Sequence, residues 1–383
     1  MKKLLLVSAV FCSFFISCNK NKVSETDASI EFKTVKSHTW YVFTETGFEK
    51  TDLPQNAKNV MEKPWTEAVR ISSAGSLVSS DEGSAKAPYD AYAIVNKRGL
   101  LAFNDAKIDF YKDESIFAKD TADGLVYSGG MPVFYLFRST FFNEDLEAKN
   151  ALHEARPFLV EFNPAAKVFY PLVSYQNLKL DNNHQISGFF WNGDTWACAT
   201  KKMNGSGVEF SFFDWQPLVP LADLNPAMGE ETFVFNSITE DDYKKKNMPK
   251  LMDSAPEELK KLISSIPQEY SFYVSWRDFS GTSPVSYCQM GTSDFMLNAR
   301  GSVSAESSLS VLVFSDGTTY IKKLNEDNVS TAFRLPLLPS GFSYGEETVS
   351  GNTLYVAWEE NSFFKTLRSG FIAVDLNSIL QAN

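Results

Sequence analysis

The chain has 383 residues, 44% of them hydrophobic, with 36 Lys and Arg against 47 Asp and Glu for a net charge of −11. That acidity excludes the clustered basic surface that nucleic acid requires, and a chain of this length is able to bury a large core. Aromatic residues make up 14%, including 32 Phe, a composition suited to half-buried pleated surfaces.

Met1, Lys2 and Lys3 form a short basic start, residues 4–16 are an unbroken apolar and small run, and Ser17-Cys18 precede the polar Asn19-Lys20-Asn21-Lys22. This is the pattern of an export signal. The apolar run has 13 residues, short of the roughly 20 that span a bilayer as a helix, so cleavage is expected rather than a permanent span. Phe15-Ile16-Ser17-Cys18 resembles the lipobox of bacterial lipoproteins, with Phe15 where Leu is usual. The resemblance implies cleavage before Cys18, a diacylglyceryl thioether on its sulfur and acylation, palmitate included, of the new amine. Two or three acyl chains hold a protein stably where one does not. Asn19, rather than Asp, leaves an outer-membrane destination open in enterobacterial-type sorting; the leaflet is left open.

Residues 19–30 are polar apart from Val23, Ala28 and the closing Ile30, too little apolar surface to fold, and read as a tether. Residues 31–383 read as one β-repeat domain. Removal of residues 1–17 leaves 34 basic and 47 acidic residues, a net −13, so the lipid on Cys18 and not charge is expected to hold the body at a membrane of the cell envelope.

Strands are expected at 40–43, 92–95, 133–137, 158–162, 168–170, 189–191, 208–213, 233–235, 270–276, 309–314, 354–358 and 371–374. In 270–276 the residues Tyr270, Phe272, Val274 and Trp276 alternate with Ser271, Tyr273 and Ser275, the period-two mark of a strand with two distinct faces. Asn192-Gly193-Asp194, Asp316-Gly317 and Gly351-Asn352 lie between apolar runs where tight hairpins need positive φ. The Ser-, Gly- and Ala-rich 72–87 reads as a mobile loop, and 144–153 as a short helix.

Two internal echoes bear on architecture. Gly193-Asp194-Thr195-Trp196-Ala197-Cys198-Ala199 aligns with Gly351-Asn352-Thr353-Leu354-Tyr355-Val356-Ala357. Pro171-Leu172-Val173 and Pro217-Leu218-Val219 are 46 residues apart, and Pro336-Leu337-Leu338 falls on the same period once a 27-residue segment, 240–266, is set aside. A period near 46 is that of a four-stranded propeller blade. The expected fold is therefore mainly β, a β-propeller of about seven blades with a helical insertion at 240–266, the alternative being another large antiparallel β architecture. Within the insertion Ser254, Pro256 and Glu257 form a helix start, and Leu259, Leu262, Ile263 and Ile266 give one apolar face.

Chemistry is sparse. The three histidines, His38, His153 and His184, fall in no metal motif, no Cys pair has zinc spacing, and no nucleophile elbow or phosphate-binding glycine loop is present, so no metal or cofactor is expected. Cys198 and Cys288 read as buried small residues rather than a bridge. Carboxylates lie beside Trp at Asp194/Trp196, Asp214/Trp215, Trp276/Asp278 and Trp358/Glu359/Glu360. Paired carboxylates with aromatic faces suit sugar chemistry, whereas the plainer reading has each Trp packing between sheets with its acid in a neighbouring turn. A lipid anchor, this length and a propeller together resemble the lipid-anchored propeller subunit of the outer-membrane barrel-assembly machinery, a scaffold. Its recurring Asp-x-x-Thr-Gly-x-x-x-Trp motif does not occur here, so no residues are carried over. The function expected is a non-catalytic binding or scaffold body meeting another envelope protein or a glycan, with a glycan-processing enzyme as the alternative.

Overall fold

A computed structural model describes residues 33–52, 54, 71–76, 88–117, 121–128, 131–137, 157–178, 184–191, 195–204, 207–220, 223–247, 272–278, 285–290, 296–301, 309–314, 318–323, 330–362 and 365–380. These residues are mostly β-strand. The first strands are β1 (Lys33–Thr34), β2 (His38–Phe43) and β3 (Phe48–Thr51). Three consecutive four-stranded meanders follow. They are β4 (Ile71–Ser76) to β7 (Lys107–Tyr111) through β5 (Ala91–Val95) and β6 (Gly99–Asn104); β8 (Thr121–Ser128) to β11 (Val168–Ser174) through β9 (Met131–Phe137) and β10 (Pro157–Asn163); and β12 (His184–Trp191) to β15 (Phe233–Ile238) through β13 (Trp196–Asn204) and β14 (Gly207–Pro217). A seven-stranded sheet contains β16 (Phe272–Asp278), β17 (Val285–Met290) and β18 (Met296–Gly301) beside β19 (Leu309–Phe314), β20 (Thr318–Lys323) and β21 (Ser330–Arg334), with β1 added parallel to β21. The last sheet is β22 (Phe342–Ser350), β23 (Thr353–Ser362) and β24 (Lys365–Asp375), completed by β2 and β3. Short helices α1 (Glu114–Phe117), α2 (Glu240–Asn247) and α3 (Leu376–Leu380) connect or cap strands.

Each of the twelve expected strands lies within or overlaps one of these elements. The reason is clearest in β5 and β6, where both faces are buried. Ala91, Ala93 and Val95 face one way and Tyr92 and Ile94 the other, all at 0% exposure. Small residues oppose large ones across the pair, Ala91 against Phe103 and Tyr92 against Ala102, so side-chain volumes even out along each face. One face packs with Tyr41, Tyr355 and Phe371 of the last sheet, the other with Phe134, Leu136, Val160 and Phe162 of the β8–β11 sheet. That second sheet packs in turn on Phe189, Trp196 and Trp215 of the β12–β15 sheet. On its other side the last sheet packs Trp40, Val356 and Trp358 against Phe333 and Leu335. Edge strands of neighbouring sheets are tied directly: Ser72 Oγ donates to the Ala122 carbonyl (2.8 Å), and the Ala74 N–H donates to Glu346 Oε2 (2.8 Å).

Several expectations change. The described residues form five sheets rather than seven equal blades, and none of these sheets closes on itself. The 46-residue spacing fails as a period because its members are not equivalent: Pro171 lies within β11, Pro217 ends β14, and Pro336 follows β21. The other echo does reflect structure, since β13 and β23 are each the second strand of their meander. Residues 72–76 of the expected 72–87 loop belong to strand β4, because their small side chains admit the neighbouring edge strands and Ala74 is 2% exposed. The insertion begins as a helix at α2, where Tyr243 lies 4.9 Å from Phe212 of β14. The expected helices at 144–153 and from Ser254 onward, with Leu259, Leu262, Ile263 and Ile266, lie outside the described residues.

Candidate functional site

Trp196 and Trp215 are direct cross-strand partners and are both 0% exposed. Phe189 stacks on Trp196 at 4.8 Å and Phe233 on Trp215 at 5.0 Å. Trp358 is equally buried, with its indole N–H donating to the Tyr41 carbonyl (3.1 Å) across β24. These rings are core, and not an exposed ligand surface. Asp214 and Glu359 are sequence neighbours of Trp215 and Trp358, and adjacent strand residues point to opposite faces. The acids therefore leave the sheet on the side away from the rings; Glu359 accepts from Asn361 Nδ2 (2.9 Å). Trp276 and Asp278 occupy β16 opposite Tyr287 and Val285. Asp194 and Cys18 lie outside the described residues. Cys198 is a buried free thiol on β13, with burial pushing it up to about 12, while Cys288 belongs to β17 of a different sheet. Among the described residues no group of three or more His, Cys, Asp or Glu is placed to hold a metal, and no helix is long and apolar enough to cross a membrane.

Three polar constellations emerge that sequence reading missed. On β7, Lys107, Asp109 and Tyr111 share a face by period two. The Tyr89 hydroxyl donates to Asp109 Oδ2 (2.5 Å) and shares a short hydrogen bond with the Tyr111 hydroxyl, and Lys107 Nζ pairs with the same carboxylate oxygen at 2.8 Å. Hydrogen bonds from Lys107 and Tyr89 hold Asp109 below the usual carboxylate range, and burial followed by the Asp109 bond pushes Tyr89 far up. The Tyr89 hydroxyl stays protonated at neutral pH, and the cluster orders β7 against the chain entering β5. The alternation Lys107-Ile108-Asp109-Phe110-Tyr111 was visible in sequence; its partner Tyr89, 18 residues before Lys107, was not.

The second constellation joins the first meander to the last sheet. Asp90 accepts from Ser350 Oγ and, at 2.9 Å, from the Gly351 N–H. Asp105 Oδ1 accepts from the Asn352 N–H (3.0 Å) and Thr353 Oγ1 (3.1 Å), its own N–H donates to Ser350 Oγ (2.7 Å), and its carbonyl accepts from the Tyr355 hydroxyl (2.5 Å). Gly351 has φ +51° and a Cβ there would sit 2.9 Å from Asp105, so glycine is needed for both turn and approach. Asp105→Ala is expected to cost about 2 kcal/mol by leaving two donors without their charged acceptor. Thermal unfolding of the variant against Tyr355→Phe, expected to cost about 1 kcal/mol, checks this.

The third is Glu161 on β10, 7% exposed with Oε2 lacking a hydrogen-bond partner; burial raises its carboxyl above the usual value. The fold thus favours the protonated form. The stability this gives is present below the ordinary carboxylate range and is lost as pH rises through the folded-state value. Glu161→Gln is therefore expected to raise the unfolding free energy at pH 8 by an amount on the order of 1 kcal/mol, read as a higher unfolding midpoint, because a neutral amide is cheaper to bury than a carboxylate. The gain should vanish toward pH 4, and an equal difference at both pH values would refute the assignment.

Comparison with known proteins supplies context. The chain is 22% identical over 249 residues to a protein named an uncharacterized lipoprotein from Treponema pallidum (strain Nichols), a match covering 59% of this chain and 56% of that one. The chain thus spans about half the length of this curated relative. Among solved structures it is similar to the crystal structure of polysaccharide lyase Uly1, with 9% identity, a TM-score of 0.23, and coverage of 69% of this chain and 60% of that one. A family model described as a family of unknown function (DUF8086) matches residues 29–378, and the chain belongs to that family.

Proposed function

We propose that this protein is a lipid-anchored component of the bacterial cell envelope, held through acyl chains on Cys18, and that its β body is a non-catalytic binding or scaffold module for another envelope protein or a glycan. The observation that carries the anchor is the order basic start, 13-residue apolar run, Ser17 and Cys18; the similarity to an uncharacterized lipoprotein supports it. Residues 18–30 act as the tether and 31–383 as one domain. A propeller-like arrangement of the body is favoured by three features: four-stranded meanders stacked face to face, edge strands of successive sheets joined through Ser72 and Glu346, and N-terminal β2 completing the C-terminal sheet. In that arrangement β16–β18 and β19–β21 with β1 count as separate units, giving six rather than seven. The glycan-processing alternative is less favoured, because the Trp rings at 196, 215 and 358 are interior.

Cys18→Ala is expected to abolish palmitate incorporation and to move the product from the detergent phase to the aqueous phase on phase partitioning. Undiminished labelling of the variant would remove the anchor from this reading.

A further inference from the structure

We propose that Glu161 and Tyr170 form a binding site for a basic side chain, lysine or arginine, presented by a partner protein. The proposal rests on the reading of the body as a binding module and names the chemistry of one thing it binds. The two residues are directly opposed on β10 and β11, so their side chains leave the sheet on the same face. Along that face exposure climbs from Val133 at 0% through Glu161 at 7% to Tyr170 at 47% on the outermost strand. Val168, two residues before Tyr170 and on the same face, is 38% exposed. A buried carboxylate thus sits one strand in from an exposed aromatic ring and an exposed aliphatic side chain.

Glu161 differs from the other polar groups described above. The Tyr89, Asp109, Asp90 and Asp105 groups satisfy one another or neighbouring turns. Glu161 Oε2 has no hydrogen-bond partner, and no ion pair to it exists among the described residues. A carboxylate removed from water without a donor is costly, and a donor or a cation relieves the cost. An ammonium or guanidinium supplies both at once. The face of Tyr170 attracts the same charge through its quadrupole, and Val168 offers apolar surface to the methylene stem. An anion is repelled by Glu161, and a neutral hydroxyl leaves its charge uncompensated. The net charge of −11 favours the approach of a basic partner.

The test uses dicyclohexylcarbodiimide, an apolar reagent that modifies protonated carboxyls in apolar surroundings, on the detergent-solubilised full-length protein at mildly acidic pH, with peptide mass spectrometry as the readout. Glu161 should be modified, and excess n-butylammonium or ethylguanidinium should reduce its labelling several-fold relative to KCl at equal ionic strength. Tyr170→Ala should keep the labelling and lose most of the protection. Absence of labelling at Glu161, labelling insensitive to either cation, or full protection in Tyr170→Ala overturns the proposal. The readout lies within the β body, so it is independent of whether Cys18 carries lipid. A partner still captured equally by wild type and Glu161→Gln, with no cation protection, would sink this site while leaving the binding-module reading intact.

Discussion

Gly370→Ala is expected to be among the most damaging single-methyl additions in the protein, costing roughly 3 kcal/mol or more. Gly370 lies in β24 between Val42 of β2 and Trp358 of β23. A Cβ there would fall 1.9 Å from the Tyr41 carbonyl oxygen and 2.7 Å from Trp358 Cζ2. Neither neighbour yields cheaply. The carbonyl belongs to the backbone of an adjoining strand, and the indole is fixed by its own hydrogen bond to that same carbonyl and by burial at 1% exposure. Glycine lets the Trp358 ring lie flat across β24 and reach β2, so the substitution strikes strand pairing, aromatic packing and a buried hydrogen bond together. Thermal unfolding checks the magnitude. A second variant, Gly370→Ala with Trp358→Leu, tests the cause: relief of the ring contact should recover part of the loss, and no recovery would place the damage wholly at the Tyr41 carbonyl.

Trp215→Ala comes next, at roughly 3–5 kcal/mol, the range for removing a large buried aromatic side chain. The ring is fully buried, stacks on Phe233 at 5.0 Å and lies 5.9 Å from Phe189, in the interface that joins the β8–β11 and β12–β15 sheets. Trp215→Phe should cost much less, because it retains the stack and most of the apolar volume. Equal losses for the two variants, read from unfolding midpoints, would mean that the indole N–H and not packing is what matters there.

The contrast between strands and architecture shows what sequence can carry. Alternation within 92–95 or 208–213 is a local property of a pleated chain, and Asn-Gly, Asp-Gly and Gly-Asn dipeptides mark turns by their own backbone preferences. The strand expectations met their elements, and Gly351-Asn352 joins β22 to β23 with Gly351 at φ +51°, while Asn192-Gly193-Asp194 and Asp316-Gly317 lie outside the described residues. The number of sheets depends on which strands pair across long loops, and meanders with unequal connections do not keep a period; hence three Pro-Leu motifs at even spacing landed in three unlike environments. Asp214/Trp215 and Trp358/Glu359 part company for a related reason: proximity in sequence looked like proximity in space, yet in a strand adjacent residues are separated by the sheet itself. Constellations such as Asp90 and Asp105 with Ser350 to Tyr355 join residues some 250 positions apart, |i−j| being 260 for Asp90 and Ser350, and a single chain gives no local sign of such a pairing. Glu161 was hidden differently. An acid in an otherwise apolar strand is visible, but whether it has a partner is decided only in three dimensions.

The completion of the last sheet by β2 bears on when the protein is able to fold. His38 pairs with Val374 and Trp40 with Ile372, so two segments more than 300 residues apart must meet before β24 has both neighbours. β1 on β21 imposes a similar wait. If the chain is exported N-terminus first, as proposed above, β2 is on the far side long before β24 emerges. For that whole interval the last sheet lacks its closing strand, and loop-closure entropy has not yet been repaid by long-range contacts. The same pairing that locks the finished body thereby delays its locking, and on the proposed export route it would keep the chain pliable for as long as it is in transit.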